Sequence, residues 1–255
     1  TGGTATGAHI ARVAAPMFKK LSLELGGKNP NLIFADCDYD DMLKTTVRSS
    51  FSNQGQICLC GSRIFVEQSI YEKFKTDFVE KVKQLKVGNP FDSETNIGAL
   101  VSKSHLEKVK SYIDIAADEG GEILVGGEQV IVEGYENGYY LQPTIIEVKD
   151  NNCKLNQEEI FGPVVTLMSF KTDAEALALA NDVKYGLSAT LWTNNLKRTM
   201  QISKEIHAGI VWVNTWLLRD LRTPFGGVKA SGVGREGGFE AFRFFTEAKN
   251  VCIKY

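Results

Sequence analysis

Phe51-Ser-Asn-Gln-Gly-Gln-Ile-Cys58-Leu-Cys60-Gly-Ser-Arg63 joins a helical stretch to a strand-like run, with a glycine break presenting a thiol between the two. Working outward, further short strand-like runs fall at Asn31 to Phe34, Ile64 to Val66, Ile123 to Val125, Val164 to Phe170, Leu187 to Trp192 and Ile210 to Val213, alternating with amphipathic stretches. That order predicts α/β architecture with a mainly parallel sheet, because parallel neighbours need long crossovers and helices supply them. Small polar neighbours let the backbone around Cys58 approach a ligand, so its sulfur can act as a nucleophile. A packed core thiol is an equal reading of the same segment, since free cysteine is among the most buried residue types.

Two stretches carry apolar stripes at helical spacing: Ile70, Phe74, Phe78, Val82 and Leu85, then Leu106, Val109, Ile113 and Ala116. These are core faces. Thr172-Asp-Ala-Glu175 has the spacing of a capping box, and Gly209 reads as the stop of a helix ending Glu205-Ile-His-Ala208. Gly120 to Gly138, rich in glycine and acids, reads as loops around a short strand. Pro224 to Gly238 is too interrupted by glycine for a helix and reads as an ordered crossing loop. Beyond it, Phe239 to Phe245 reads as a short helix and Val251-Cys-Ile253 as a terminal strand in need of a partner edge.

Composition narrows the class. With 255 residues and 43% hydrophobic content the chain can build one large core or two modest ones. A formal charge of -2 gives no electrostatic reason to expect nucleic acid or an anionic membrane, and no apolar run approaches a spanning helix. Five cysteines without CxxC spacing argue against a disulfide framework and a zinc knuckle, so reduced thiols, no metal and a cytoplasmic setting are expected.

Near the start, Thr1-Gly-Gly-Thr-Ala-Thr-Gly7 precedes Ile10, Val13, Ala14, Met17 and Phe18 at helical spacing. Gly2, Gly3 and Gly7 then lie at a helix N-terminus, where free amides suit a phosphate, although a plain surface turn fits as well. Leu21-Ser-Leu23-Glu24-Leu25-Gly26-Gly27 alternates like a strand and puts Glu24 at its carboxyl end. Ligands gather outside that edge in open α/β sheets; a solvated strand-end acid is the other reading.

Taken together, four segments resemble the aldehyde dehydrogenase superfamily along the whole chain. Leu23-Glu-Leu-Gly-Gly-Lys-Asn-Pro30 resembles its glutamate motif, and Phe51-x-Asn-x-Gly-Gln-x-Cys58 its cysteine motif. Glu158-Glu-Ile-Phe-Gly-Pro163 resembles its cofactor-ribose motif, and Pro224-Phe-Gly-Gly-Val-Lys229 completes the set. The resemblance implies a Rossmann-like catalytic domain, NAD in preference to NADP, and a homodimer or homotetramer for the full-length protein.

By the same resemblance Cys58 attacks the aldehyde carbon, the resulting oxyanion leans on amides such as that of Cys58, and loss of hydride leaves a thioester. Only roughly 3% of a free thiol is ionised at pH 7, so its surroundings have to help. Glu24 then takes a proton from the water that hydrolyses the thioester. Glu159 resembles the residue holding the nicotinamide ribose, and Phe161 the one packing beside the nicotinamide. Gly2, Gly3, Thr4, Ala5, Thr6 and Gly7, with Leu25 and Gly26, resemble further cofactor contacts, Gly3 standing where many relatives carry serine.

The chain opens on Thr1 and resembles the C-terminal half of such enzymes. The expected division is 1–26 from the NAD-binding domain, 27–227 catalytic, 228–245 returning to the NAD-binding domain, and 246–255 an oligomerisation strand. A half of this kind is expected to be inactive alone. Asn214-Thr-Trp216 with Arg219-Asp-Leu-Arg222-Thr-Pro-Phe-Gly-Gly227 resembles the muconic semialdehyde branch, which oxidises 2-aminomuconate or 2-hydroxymuconate 6-semialdehyde. A planar guanidinium suits such a carboxylated aldehyde, and Arg219 is assigned to it; bracing of the loop by Arg219 or Arg222 through Asp220 is the other reading. Betaine aldehyde or an aliphatic aldehyde, a cofactor-independent thiol esterase and a non-catalytic assembly module are the competing functions. An Arg235–Glu247 ion pair is expected near the terminal strand, and Cys37, Cys60, Cys153 and Cys252 are read as incidental thiols.

Overall fold

A computed structural model describes residues 1–255. In chain order the elements are α1 (Thr4–Ala14), β1 (Leu23–Glu24), β2 (Pro30–Ile33), α2 (Tyr39–Phe51), β3 (Arg63–Glu67), α3 (Tyr71–Lys83), α4 (Lys103–Asp114), β4 (Glu122–Val125), β5 (Gln129–Val130), β6 (Tyr140–Leu141) and β7 (Thr144–Glu147). They continue with α5 (Lys154–Gln157), β8 (Val164–Phe170), α6 (Asp173–Asn181), β9 (Tyr185–Gly186), β10 (Ser188–Trp192), α7 (Leu196–Glu205), β11 (Ile210–Val213), β12 (Val228–Lys229), β13 (Gly232–Val233) and α8 (Gly238–Phe245).

Seven strands form one sheet in the order β11-β10-β2-β3-β8-β7-β4. All neighbours are parallel except β4, which runs antiparallel to β7 at one edge. The α/β expectation holds, and all six strand-like runs are strands. β7 was not foreseen: Thr144-Ile-Ile-Glu147 is too short to separate from a loop by periodicity alone.

Alternation along the strands feeds two faces. Ile33, Ile64 and Val66 pack beneath α2 and α3 with Phe51, Phe74, Phe78 and Val82, while Leu32 and Phe65 pack on the opposite side with Ala176 and Ala180 of α6 and Ile202 of α7. Helix α4 buries Leu106, Val109 and Ile113 against Ile146, Ile160 and Val164. Asp38, Ser102, Thr172 and Asn195 each cap a helix by accepting from the amide three residues on, so the starts of α2, α4, α6 and α7 are fixed by local chemistry.

A smaller layer lies beside this sheet. β1 pairs antiparallel with β13, matching Glu24 to Gly232, and β12 pairs with β9. The glycine-rich crossing loop is therefore ordered, and it brings Gly232 and Val233 back against the strand that carries Glu24.

Three expectations are corrected. Val251-Cys-Ile253 forms no strand: a strand exists through hydrogen bonds to a neighbour, no edge of this chain lies beside it, and Val251 and Ile253 are exposed. Arg235 donates to the carbonyls of Gly227 and Gly234 instead of pairing with Glu247, whose carboxylate meets Lys20 at 2.8 Å. Helix α7 ends at Glu205, three residues short of Ala208, and Gly209 donates to the Gly186 carbonyl at the entrance to β11.

Candidate active site

Helix α2 runs into a tight left-handed passage before the thiol. Asn53, Gln54 and Gly55 all have positive φ, at 50°, 56° and 69°. Only glycine fits the third position, where an added Cβ would run into the Gly162 carbonyl. The two non-glycine residues are held by their own amides, Asn53 donating to the Gln56 carbonyl at 3.1 Å and Gln54 to that of Ala99 at 3.1 Å. Local strain of this kind persists only where surrounding contacts over-determine it.

Cys58 follows in a turn closed by the Cys60 amide donating to the Ile57 carbonyl at 3.0 Å. It is half-buried and lines a cavity of about 480 Å³. Gly2, Gly3, Leu25, Gly26, Glu159 and Phe161 line the same cavity, so the structure brings together six of the ten residues assigned to cofactor. Thr4, Ala5, Thr6 and Gly7 lie in the first turn of α1 outside that lining, and Gly7 is buried against Leu25.

Glu159 reaches across to β1's end. Its Oε1 accepts from the Gly27 amide at 2.9 Å, and its carboxylate occupies the space where a Cβ on Gly26 would stand. Burial raises its pKa, against the pull of the Gly27 amide and of Lys108, Lys28 and His105. Phe161 takes a left-handed backbone (φ 60°), and its carbonyl accepts from His105 Nε2 at 2.6 Å, which fixes that nitrogen as the protonated one. Lys108 Nζ donates to the Glu159 carbonyl at 3.0 Å. His105 and Lys108 both line the cavity from α4. Reading from sequence missed them, although their i, i+3 spacing beside the apolar stripe was visible.

Glu24 is only 5% exposed, and neither carboxylate oxygen has a hydrogen-bond partner. Burial, and then repulsion from Glu236, push its pKa up to about 7, opposed by Arg235 and Arg219. A carboxylate half-ionised near neutrality and free of donors can exchange protons with a water or a substrate.

The thiol of Cys58 is also shifted upward, first by burial and then by Glu159 and Glu24, with its own amide and Arg219 pulling the other way. At neutral pH it rests as the thiol, so ionisation has to be coupled to loss of a proton to a base. The amides of Cys58 and Leu59 donate to no backbone carbonyl, and that of Cys58, which lines the cavity, can serve an oxyanion.

The turn itself is held by residues whose side chains reading from sequence did not single out. Asn29 Nδ2 donates to the Cys58 carbonyl at 2.7 Å and the Cys60 carbonyl at 2.9 Å, while its Oδ1 accepts from the Ser188 amide at 3.0 Å. Trp216 Nε1 donates to the Leu59 carbonyl at 3.0 Å. A buried amide and a buried indole each need a partner, which was the available signal.

Arg219 lies outside the cavity lining. Its guanidinium stacks 3.9 Å from the Phe225 ring centroid and has no salt-bridge partner, whereas Arg222 takes Asp220 in a two-pronged pair. Bracing of the loop through Asp220 therefore belongs to Arg222. Cys60 and Cys153 are buried and Cys252 is exposed. No cluster of side chains suited to a metal ion occurs, and no helix is long and apolar enough to cross a membrane.

The aldehyde dehydrogenase family model matches residues 1–251. A 2-aminomuconic semialdehyde dehydrogenase of Danio rerio is 51% identical over 258 residues, covering 100% of this chain and 53% of that protein. A 2-hydroxymuconic semialdehyde dehydrogenase of Pseudomonas putida is 45% identical, covering 100% of this chain and 52% of that protein. Among solved structures, betaine aldehyde dehydrogenase of Staphylococcus aureus in complex with NAD+ superposes with a TM-score of 0.90 at 40% identity, over 94% of this chain and 47% of that one. The chain spans about half the length of the curated relatives it matches. On fold, motifs and these matches, the chain belongs to the aldehyde dehydrogenase family.

Proposed function

We propose that the protein carrying this chain oxidises a carboxylated aldehyde of the 2-aminomuconic or 2-hydroxymuconic 6-semialdehyde class to the acid, with NAD as oxidant. The observation that carries the reading is Cys58 at the wall of a 480 Å³ cavity, with a carboxylate of pKa about 7 close enough to perturb it. The cavity suits the cofactor's nicotinamide end: Gly2 and Gly3 permit close backbone approach, Gly26 leaves room for the Glu159 carboxylate, whose oxygens suit ribose hydroxyls, and Phe161 lines the same wall. When bound there, NAD supplies the acceptor for hydride.

Cys58 gives up its proton to bulk water and its sulfur adds to the aldehyde carbon, forming a C–S bond while the carbonyl π pair moves onto oxygen as an oxyanion. The free amide of Cys58 receives that oxyanion, and a donor of this kind contributes on the order of 3 kcal/mol. Once the C–H electron pair has left, the carbon is a thioester on Cys58. Glu24 accepts a proton from water, the hydroxyl adds to the thioester carbon, and the C–S bond breaks to release the acid and restore the thiol. Both Glu24 oxygens are buried without a donor, so a water that reaches them meets an unsatisfied acceptor. Arg219, unpaired and stacked on Phe225, is assigned to the substrate's distal carboxylate.

By the same reading, 1–26 and 228–245 belong with a cofactor-binding domain and 246–255 with an oligomer edge; the β1–β13 pairing supports a common origin for the first two. The apolar residues left exposed on α1 and α8, among them Val13, Phe239 and Phe245, support a packing partner beyond this chain. We therefore expect the 255-residue chain alone to produce no NADH from the semialdehyde with NAD, while the full-length protein does. Absence of NADH formation by the full-length protein with any of the carboxylated, aliphatic or betaine aldehydes would overturn the dehydrogenase reading. Product formed without NAD would favour a thiol esterase.

A further inference from the structure

Three consecutive carbonyls, those of Cys58, Leu59 and Cys60, are each taken by a distant side chain. Asn29 holds the outer two, which ties them to the sheet. The middle one is held by Trp216, only 3% exposed and located three residues before Arg219. Trp216 is fixed in turn: Arg48 of α2 donates to its carbonyl at 3.0 Å and places its guanidinium 5.5 Å from the indole centroid. Immediately after it, Leu217 turns the chain with a φ of 62°, and Leu218 gives its carbonyl to Trp212 Nε1 at 2.9 Å. The indole thus stands between the exposed 217–222 loop and the residue that follows the nucleophile.

We propose that Trp216 is a positioning residue that couples the Arg219 loop to the nucleophile turn, an inference that rests on the assignment of Cys58 and Arg219 given above. Holding the Leu59 carbonyl fixes the 59–60 peptide, whose own N–H, that of Cys60, closes the turn on the Ile57 carbonyl, and so steadies the turn that presents Cys58 and its amide. A carboxylate seated on Arg219 steadies the loop, and through the indole it steadies the turn. Substrate charge then raises kcat as well as lowering KM.

The test is a double-mutant cycle in the full-length protein, with Arg219→Ala made in three backgrounds: native, Trp216→Phe and Arg48→Gln. Trp216→Phe removes the N–H donor and keeps an aromatic ring; Arg48→Gln, on an exposed helix surface, loosens the tryptophan without altering it and serves if the first variant fails to fold. Arg219→Ala is expected to lower kcat for the carboxylated semialdehyde by about 5–10-fold in the native background and by less than about twofold in the other two, with the KM effect present in all. The same kcat ratio in every background overturns the coupling while leaving the substrate assignment intact. Equal effects of Arg219→Ala on carboxylated and neutral aldehydes remove the substrate assignment, and the coupling falls with it. A structural role alone would lower stability without changing the ratio.

Discussion

The turn at 58–60 and the loop at 217–222 meet at Trp216, yet they are built in opposite ways. Every carbonyl of the turn is claimed by a buried side chain, its approach is locked in left-handed backbone, and its thiol is half-buried. In the loop, Arg219, Asp220, Leu221 and Arg222 are exposed, and Arg219 has only an aromatic face beneath it. Chemistry common to all aldehydes needs fixed geometry, because a small misplacement of a reacting atom is expensive in rate. Recognition of one aldehyde among many needs only a charge in the right place, and a loop can carry it. Changes in the turn should therefore act on every aldehyde, and changes in the loop on carboxylated ones alone.

The largest expected effect is on the turn: Cys58→Ser should lower kcat by about 10³–10⁴ for carboxylated and neutral aldehydes alike, measured as NADH formation by the full-length protein. Glu24→Gln comes next, slowing turnover about 10²–10⁴-fold while leaving the first round of NADH release visible as a burst. Arg219→Ala should raise KM about 10–100-fold for the semialdehyde acid and less than about twofold for a neutral aldehyde, which is the sharpest contrast between the two regions. A substantial loss on both substrates would merge the turn and the loop into one functional unit.

Smaller effects follow from charge. With the Glu24 carboxyl half-ionised near 7, thioester hydrolysis should rise between about pH 6 and 8 and level off above. Its folded pKa lies above the unfolded value, so folding binds an extra proton; the stability this contributes is full below about pH 4.5 and is lost as pH rises through 7. Glu24→Gln, which removes the buried charge, should therefore raise Tm by roughly 2–4 °C at pH 8 relative to its effect at pH 5. Glu159→Gln removes an anion that disfavours the Cys58 thiolate, so the pH profile of Cys58 alkylation by iodoacetamide should move to lower pH. An unmoved profile would mean that Glu159 does not act on the thiol.

How much of this was legible in the sequence depended on whether a residue advertises itself by pattern or by partner. Strands β2, β3, β8, β10 and β11 stood out because apolar runs broken by glycine have a period, and Thr172 capped α6 as its spacing required. Cys58, Glu24, Glu159 and Phe161 were legible through motifs, and the structure gathers the first and the last two around one cavity. Asn29 lay inside the Glu24 motif and Trp216 in the 214–227 segment without revealing their task, because a side-chain bond to a carbonyl 29 or 157 residues away leaves no local trace. Val251–Ile253 misled for the complementary reason: β-branched residues signal a strand, but whether one forms depends on an edge that local sequence does not contain.

The most direct test is the intact mass of the full-length Glu24→Gln protein after mixing with semialdehyde and NAD, followed by peptide mapping. An acyl group retained on the peptide carrying Cys58, formed with one equivalent of NADH and absent when NAD is withheld, is the expected result. Steady turnover by Glu24→Gln with no acyl adduct on Cys58, or an adduct at another residue, would contradict it.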